Sequence, residues 1–329
     1  MLDLVPIASG STSGDALRNT LDLARRVERL GYHRYWLAEH HNMPGIASSA
    51  PAVLIGHVAD VTSRLRVGSG GVMLPNHPPL VVAEQFGMLE ALHPGRIDLG
   101  IGRAPGTDPL TAQTLRRSTA QLSEDDFPEQ LWELFGFFNG SFPADHPYRN
   151  ITAVPAHGNQ PEVWLLGSSG YSAQVAGLLG LPFAFAHHFS SVNTIPALAL
   201  YRDRFRPSQR LEKPYSMIAV SVICAPSDEE AQSLAEPAGL SFIRLRSGRP
   251  GLFPSPADVA AHQYSEADRA LLRERAGGMV VGSPDTVRRK LGELIEKTAV
   301  DELMITTTTF QHADRLRSYE LVAGLFSAR

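Results

Sequence analysis

Residues 165–189, LLGSSGYSAQVAGLLGLPFAFAHHF, hold a complete strand–helix–strand unit. The apolar run Val163–Leu166 leads into the glycine–serine turn Gly167–Ser172, which opens a helix. The next apolar run, Phe183–Ala186, ends in His187-His188. Short apolar runs bounded in this way suit strands buried on both faces under packed helices. The pattern recurs along the chain: Leu2–Ile7, Tyr35–Leu37, Leu65–Val72, Ile97–Ile101, Met217–Cys224 and Leu303–Ile305 bring the number of runs to eight. Eight strand–helix units make a (β/α)8 TIM barrel, which takes about 250 residues. The chain has 329. The excess is expected in two insertions within a single domain over residues 1–329, Pro105–Gln160 after the fourth strand and Pro226–Gly282 after the seventh. An open doubly wound sheet would alternate too, but the count of eight favours the barrel.

Between the runs lie amphipathic helices. Leu17, Leu21, Ala24, Val27 and Leu30 mark one stripe, with Gly31 placed for a left-handed C-terminal cap. Ser283-Pro284-Asp285 reads as an N-cap, a first-turn proline and an acid at the helix dipole, followed by Val287, Leu291, Leu294 and Ile295. Ala47–Val61 is expected to be helical. The acidic run Glu124-Asp125-Asp126 is expected to open another helix. The chain is 43% hydrophobic and 19% charged, which suits a large core and excludes wholesale disorder. A net charge of -4 leaves no basic excess to neutralise nucleic-acid phosphates. No apolar run is long enough to span a membrane, and MLDLVPIASG does not read as a signal peptide, so a cytoplasmic protein is expected. A single cysteine, Cys224, rules out a disulfide framework; its apolar strand argues for a buried, inert thiol.

In a barrel the C-terminal ends of the strands build the active site. There the sequence concentrates glycine, hydroxyl groups and histidine: Glu39-His40-His41 after the second strand, Gly70-Gly71 at the third, Gly102-Arg103 at the fourth, Gly167–Ser172 at the fifth and His187-His188 at the sixth. A glycine–serine turn opening a helix presents free N–H groups to a phosphate, and Arg103 could add a bidentate contact. An ordinary turn with a serine N-cap fits the same residues. His40-His41 are adjacent and lack the i,i+4 spacing of a helical zinc site. They fit a ligand-contacting pair or a structural one, and no metal site is expected. Gly70-Gly71 fits either an unusual backbone conformation or close approach of a flat ligand. The arginines Arg244, Arg246 and Arg249 read as a solvated face, or otherwise as a mouth that favours anions.

Five co-linear stretches resemble the bacterial-luciferase-like family of flavin-dependent monooxygenases. They are AEHHNM (38–43), RVGSGGVMLPNHPPLVVAEQ (66–85), HPGRIDLGIGRAPG (93–106), residues 165–189 above, and VDELMITT (300–307). The resemblance implies a (β/α)8 barrel that binds FMN, used as FMNH2, with O2 as co-substrate. It implies that Gly70 and Gly71 are joined by a cis peptide beneath the flavin ring, and that Arg103 with Ser168, Ser169, Gly170, Tyr171 and Ser172 cradles the phosphate. It assigns His40 as the catalytic histidine. The chemistry it implies runs through a 4a-hydroperoxyflavin that oxygenates a small organic substrate, aldehyde-like or similar, in a dry pocket. A separate NAD(P)H:flavin reductase and a homodimer are also implied; Pro51, Ala52, Ile55, Gly56 and Ala59 offer small residues for close helix packing. Where the luciferases carry a cysteine near the flavin, this chain has Gly102, so the aldehyde pocket need not be shared and light emission is not expected. A deazaflavin-dependent hydride-transfer enzyme and a non-catalytic flavin-binding protein are the alternatives on the same barrel. The pocket loops do not name the substrate.

Overall fold

The computed structural model describes residues 1–116 and 126–326. In chain order the elements begin β1 (Leu2–Asp3), α1 (Ser13–Arg29), β2 (Arg34–Leu37), α2 (Pro51–Asp60), β3 (Arg66–Met73), α3 (Pro79–Leu92) and β4 (Ile97–Gly102). They continue α4 (Pro109–Arg116), α5 (Phe127–Asn139), β5 (Glu162–Gly167), α6 (Gly170–Leu179), β6 (Phe183–Phe185), α7 (Thr194–Arg204) and β7 (Ser216–Cys224). The last are α8 (Asp228–Arg246), α9 (Pro256–Ala261), α10 (Glu266–Ala276), β8 (Met279–Gly282), α11 (Pro284–Thr298), β9 (Glu302–Thr306) and α12 (His312–Phe326). All eight apolar runs contain strands. Two compact units emerge: Arg34–Asn42 with Ser48–Leu166, and Met1–His33 with Met43–Ala47 and Gly167–Arg329.

In the Arg34–Leu166 unit, β2, β3, β4 and β5 form consecutive parallel pairs. At their N-terminal ends a polar cluster takes one residue from each strand. Asp98 of β4 is fully buried, and accepts from Arg34 Nη1 of β2 (2.9 Å), Arg66 Nε of β3 (2.9 Å) and Trp36 Nε1 (2.8 Å). Glu162 of β5 lies 3.4 Å from Arg34 and 3.0 Å from Arg66. The fully buried rings of Trp36 and Trp164 meet edge-to-face at 5.4 Å, and the Arg34 guanidinium lies over Trp164. Gly68 permits this packing, because a Cβ there would fall 2.4 Å from the Asp98 carbonyl oxygen. The first expected insertion carries α4 and α5; Leu131, Leu134, Phe137 and Phe138 form the buried face of α5.

In the other unit β7 is the central strand, pairing in parallel with β6, β8 and β9. Asp3 is the buried carboxylate here. It accepts from Arg315 Nη2 (2.6 Å), Thr20 Oγ1 (2.7 Å) and the Val5 N–H (2.7 Å). The second expected insertion holds α8, α9, α10 and one strand absent from the eight runs, β8. Its four residues pair with the C-terminal half of β7, and Met279-Val280-Val281 is too short to stand out as an apolar run.

Several local expectations change. The buried face of α1 is Ala16, Thr20, Leu23, Ala24 and Val27, while Leu17 is exposed, because the Thr20 hydroxyl turns inward to Asp3. The helix expected over Ala47–Val61 starts at Pro51, whose missing N–H suits a first turn. Pro51, Ile55 and Ala59 on it are buried within the unit, so they offer no outer packing face. Ser283 occupies the N-cap position of α11 without capping it through its side chain. Its own N–H donates to Asp228 instead (2.6 Å). Gly31 adopts the expected positive φ of 83°. Cys224 is buried, and desolvation raises its thiol to about 11. Glu124 and Asp125 lie outside the described residues. No described helix is long and apolar enough to cross a membrane.

The Asp98 cluster yields a stability test. Asp98→Ala removes the buried carboxylate shared by Arg34, Trp36 and half of the Arg66 bonds, and is expected to lower the unfolding free energy by about 3 kcal/mol or more. Denaturant unfolding followed by tryptophan fluorescence measures it; a loss below about 1 kcal/mol would show that the cluster is not what holds these strands.

Candidate active site

Successive strand ends of the Arg34–Leu166 unit carry the candidate side chains. After β2 the chain runs Ala38-Glu39-His40-His41, and the two histidines turn to different partners. His40 Nδ1 lies 3.1 Å from the Gly106 carbonyl oxygen. A carbonyl only accepts, so Nδ1 carries the proton and donates, leaving the Nε2 lone pair without a partner among the described residues. Burial lowers the His40 pKa from its ordinary value, against the opposing pull of the Gly106 carbonyl and the Glu39 charge. The imidazole is therefore neutral at neutral pH, with one basic nitrogen open. Gly106 must be glycine: its φ is +64°, and a Cβ would lie 3.0 Å from the Glu39 carbonyl oxygen.

Glu39, buried, serves its neighbours. His41 Nε2 (2.9 Å) and His77 Nε2 (2.8 Å) donate to its Oε1, and the Met73 N–H donates to Oε2 (3.0 Å). Desolvation alone would raise this carboxyl. The bonds from His41 and His77, the His77 charge and the Met73 N–H outweigh it and hold Glu39 at about 2. His77, which follows the turn Leu74–Asn76, was not singled out in the sequence. Where no metal site was expected, Glu39, His41 and His77 bring three potential ligand atoms within 4.8 Å of one another. As they stand, the imidazoles satisfy the carboxylate as hydrogen-bond donors.

The bond between Gly70 and Gly71 is cis, as the resemblance implied. At Gly71 a Cβ would lie 2.6 Å from the Gly100 carbonyl oxygen, and at Gly100 one would lie 2.1 Å from that of Ser69. The two backbones approach too closely for side chains, which leaves this strand end bare. Arg103 follows β4 and is half-buried.

In the other unit, Ser168 and Ser169 are exposed, Gly170 and Tyr171 half-buried and Ser172 buried. Ser169 occupies the N-cap position of α6 in extended conformation, but its side chain makes no capping bond. The serine N-cap position of the ordinary reading is thus present, without its side-chain bond. The first N–H groups of a helix have no intrahelical acceptors, so this uncapped end suits an anion. His187 and His188 line a cavity of about 630 Å3 wholly within this unit. His187 Nδ1 lies 2.8 Å from Thr194 Oγ1, and His188 Nδ1–H donates to the Ala219 carbonyl (2.9 Å). Burial lowers the pKa of His187.

Residues 1–320 match the luciferase-like monooxygenase family. The chain is 48% identical to a luciferase-like monooxygenase of Escherichia coli (strain K12), covering 98% of this chain and 94% of that protein. It is 33% identical to the N-acetyl-S-alkylcysteine monooxygenase of Bacillus subtilis (strain 168), covering 98% and 96%. The crystal structure of apo-MsnO8 superposes with a TM-score of 0.90 at 36% identity, over 100% of this chain and 98% of that one. More distant structures share the fold. The oxygenating constituent of a Pseudomonas putida 3,6-diketocamphane monooxygenase, solved with FMN, has a TM-score of 0.74 at 21% identity over 98% and 95%. An F420-dependent secondary alcohol dehydrogenase has 0.66 at 13% over 96% and 95%. The chain belongs to the luciferase-like monooxygenase family and is an oxidoreductase with the α/β, TIM-barrel class of fold that the eight runs indicated.

The Glu39 cluster predicts a pH dependence. Its folded pKa of about 2 lies below the ordinary 4.5, so its stabilisation is present above about pH 4.5 and lost as pH falls towards about 2. Glu39→Gln is expected to cost about 3 kcal/mol near neutral pH, and less as the solution is acidified. Urea unfolding of both proteins across this window measures the difference. A gap that does not change with pH would refute the assignment.

Proposed function

We propose that this protein is an FMN-dependent monooxygenase that uses reduced flavin and O2 to oxygenate a small organic substrate. The observation that carries the reading is His40, a neutral imidazole whose Nδ1 is pinned by a carbonyl while Nε2 stays basic and open. The fit to FMN rests on the uncapped N-terminus of α6, with Ser168, Ser169 and Ser172 offering hydroxyls beside its N–H groups. Bound reduced FMN supplies two electrons that activate O2, one oxygen atom passing to the substrate and the other leaving as water. The chain's residues do the rest. Gly170, Tyr171 and the three serines offer N–H and hydroxyl groups to the phosphate, and the family resemblance gives Arg103 as a further cation for it. The bare backbone at Gly70-Gly71 admits the flat ring, and His40 Nε2 takes and returns a proton. A dry pocket shelters the organic substrate from water.

Aldehydes and, by analogy with the N-acetyl-S-alkylcysteine monooxygenase, thioethers are the substrate classes to try first. Reduced flavin comes from a separate NAD(P)H:flavin reductase in the cytoplasm. The protein works as a homodimer, for which Val53 on α2 and Met88 and Leu92 on α3 supply exposed apolar side chains. Sedimentation should then give twice the 35.7 kDa chain mass; a monomer at micromolar concentration would refute it.

His40→Ala tests the reaction. The variant is expected to bind FMN as the parent does, with FMN preferred over riboflavin in both. It should lose oxygenated product by about 10²–10⁴-fold. Calorimetry with each flavin and product mass spectrometry under reduced FMN and O2 are the measurements. Wild-type turnover by the variant would remove His40 from the mechanism. Hydride transfer with a deazaflavin and no O2 uptake would favour the alternative enzyme instead.

A further inference from the structure

The insertion after β7 brings into the cavity an arginine that forms no ion pair among the described residues. One wall comes from α8, with Ser241, Phe242 and Arg246, and another from the end of α10 with Arg275. Arg275 is half-buried. Its guanidinium carbon lies 5.3 Å from the Phe242 ring centroid, and Nη1 lies over Gly239, 4.0 Å from where a Cβ would stand. Phe242 offers only a ring face, and neither Arg275 nor Arg246 forms an ion pair among the described residues. On α9 and α10, Asp258 pairs with Arg244 and Glu266 with Arg273. Glu274 also lines the cavity, but it is exposed and makes no bond to Arg275. Desolvation pushes Arg275 down to about 10, with no opposing charge among the causes.

We propose that this cavity binds organic acids, taking the substrate carboxylate on Arg275 with Arg246 at its side and the apolar body against Phe242 and Phe253. The site belongs to the monooxygenase reading above, and names its substrate class. A guanidinium's planar fork matches a carboxylate with two parallel bonds, and a desolvated cation gains most from a partner of opposite charge. The volume of about 630 Å3 falls in the ordinary range for small-molecule sites. The proposed phosphate turn, residues 167–172, does not line this cavity, so the two anion sites are separate. The arginines of α8 noted in the sequence thus divide: Arg246 reaches the cavity and Arg244 faces Asp258.

The test is a binding measurement that needs no turnover. Calorimetry compares 4-phenylbutanoate with its neutral isostere 4-phenylbutanamide, on the protein with and without FMN. The carboxylate is expected to bind about tenfold or more tightly than the amide. Arg275→Gln should abolish that preference, Arg275→Lys should keep part of it, and FMN affinity should stay unchanged in both. Equal binding of the two probes by the parent protein overturns the proposal. So does a preference that survives Arg275→Gln, or a variant that loses FMN but not riboflavin, which would give Arg275 to the flavin phosphate. Because the readout is affinity, a protein that binds the acid but oxygenates nothing would refute the monooxygenase reading and leave the acid site standing.

Discussion

A carboxylate buried beneath parallel strands must be met by cations and donors from its neighbours, and each unit depends on one. Asp98 joins β2, β3 and β4 through Arg34, Trp36 and Arg66, and Asp3 joins β1, α1 and α12 through Thr20 and Arg315. Removing one partner of such a set leaves an uncompensated charge in low dielectric, which costs several kcal/mol. The geometry is therefore over-determined at the N-terminal ends of the strands. That rigidity allows the opposite ends of β2, β3 and β4 to carry side chains chosen for chemistry.

Glu39 and His40 show the division of labour between adjacent residues. Every demand of the Glu39 carboxylate is met, by His41, His77 and the Met73 N–H, so it serves as a fixed anchor for the segment after β2. His40 has one nitrogen fixed and the other free, an arrangement suited to proton transfer because the ring is oriented before any substrate arrives. The same carboxylate that anchors the segment places a negative charge beside His40, which partly offsets the effect of burial on its pKa.

The insertion after β7 adds what the strands lack. Its helices α8 and α10 supply part of the cavity wall, including Phe242 and both cavity arginines. Contacts that set substrate class thus lie on segments outside the eight runs, and can vary without disturbing the buried carboxylates. In this architecture loops and insertions carry specificity while strands carry stability.

The sequence by itself determined eight of the nine strands, the turns that end them and the residue types gathered there. Periodicity, glycine–serine turns and apolar runs are local signals, so the eight runs, the positive φ at Gly31 and the helix opened by the turn Gly167–Ser172 were legible. The resemblance carried His40, Gly70-Gly71 and Arg103. Tertiary structure decided what depends on partners distant in the chain. His77 meets Glu39 across 38 positions, and Asp3 meets Arg315 across 312, and no spacing rule connects such pairs. Thr20 turned α1 away from its apparent stripe because a buried acid outweighs one half-exposed leucine. Arg275 became a binding group only because folding withdrew it from water without an ion-pair partner among the described residues, and solvation is a property of the packed structure, not of local pattern.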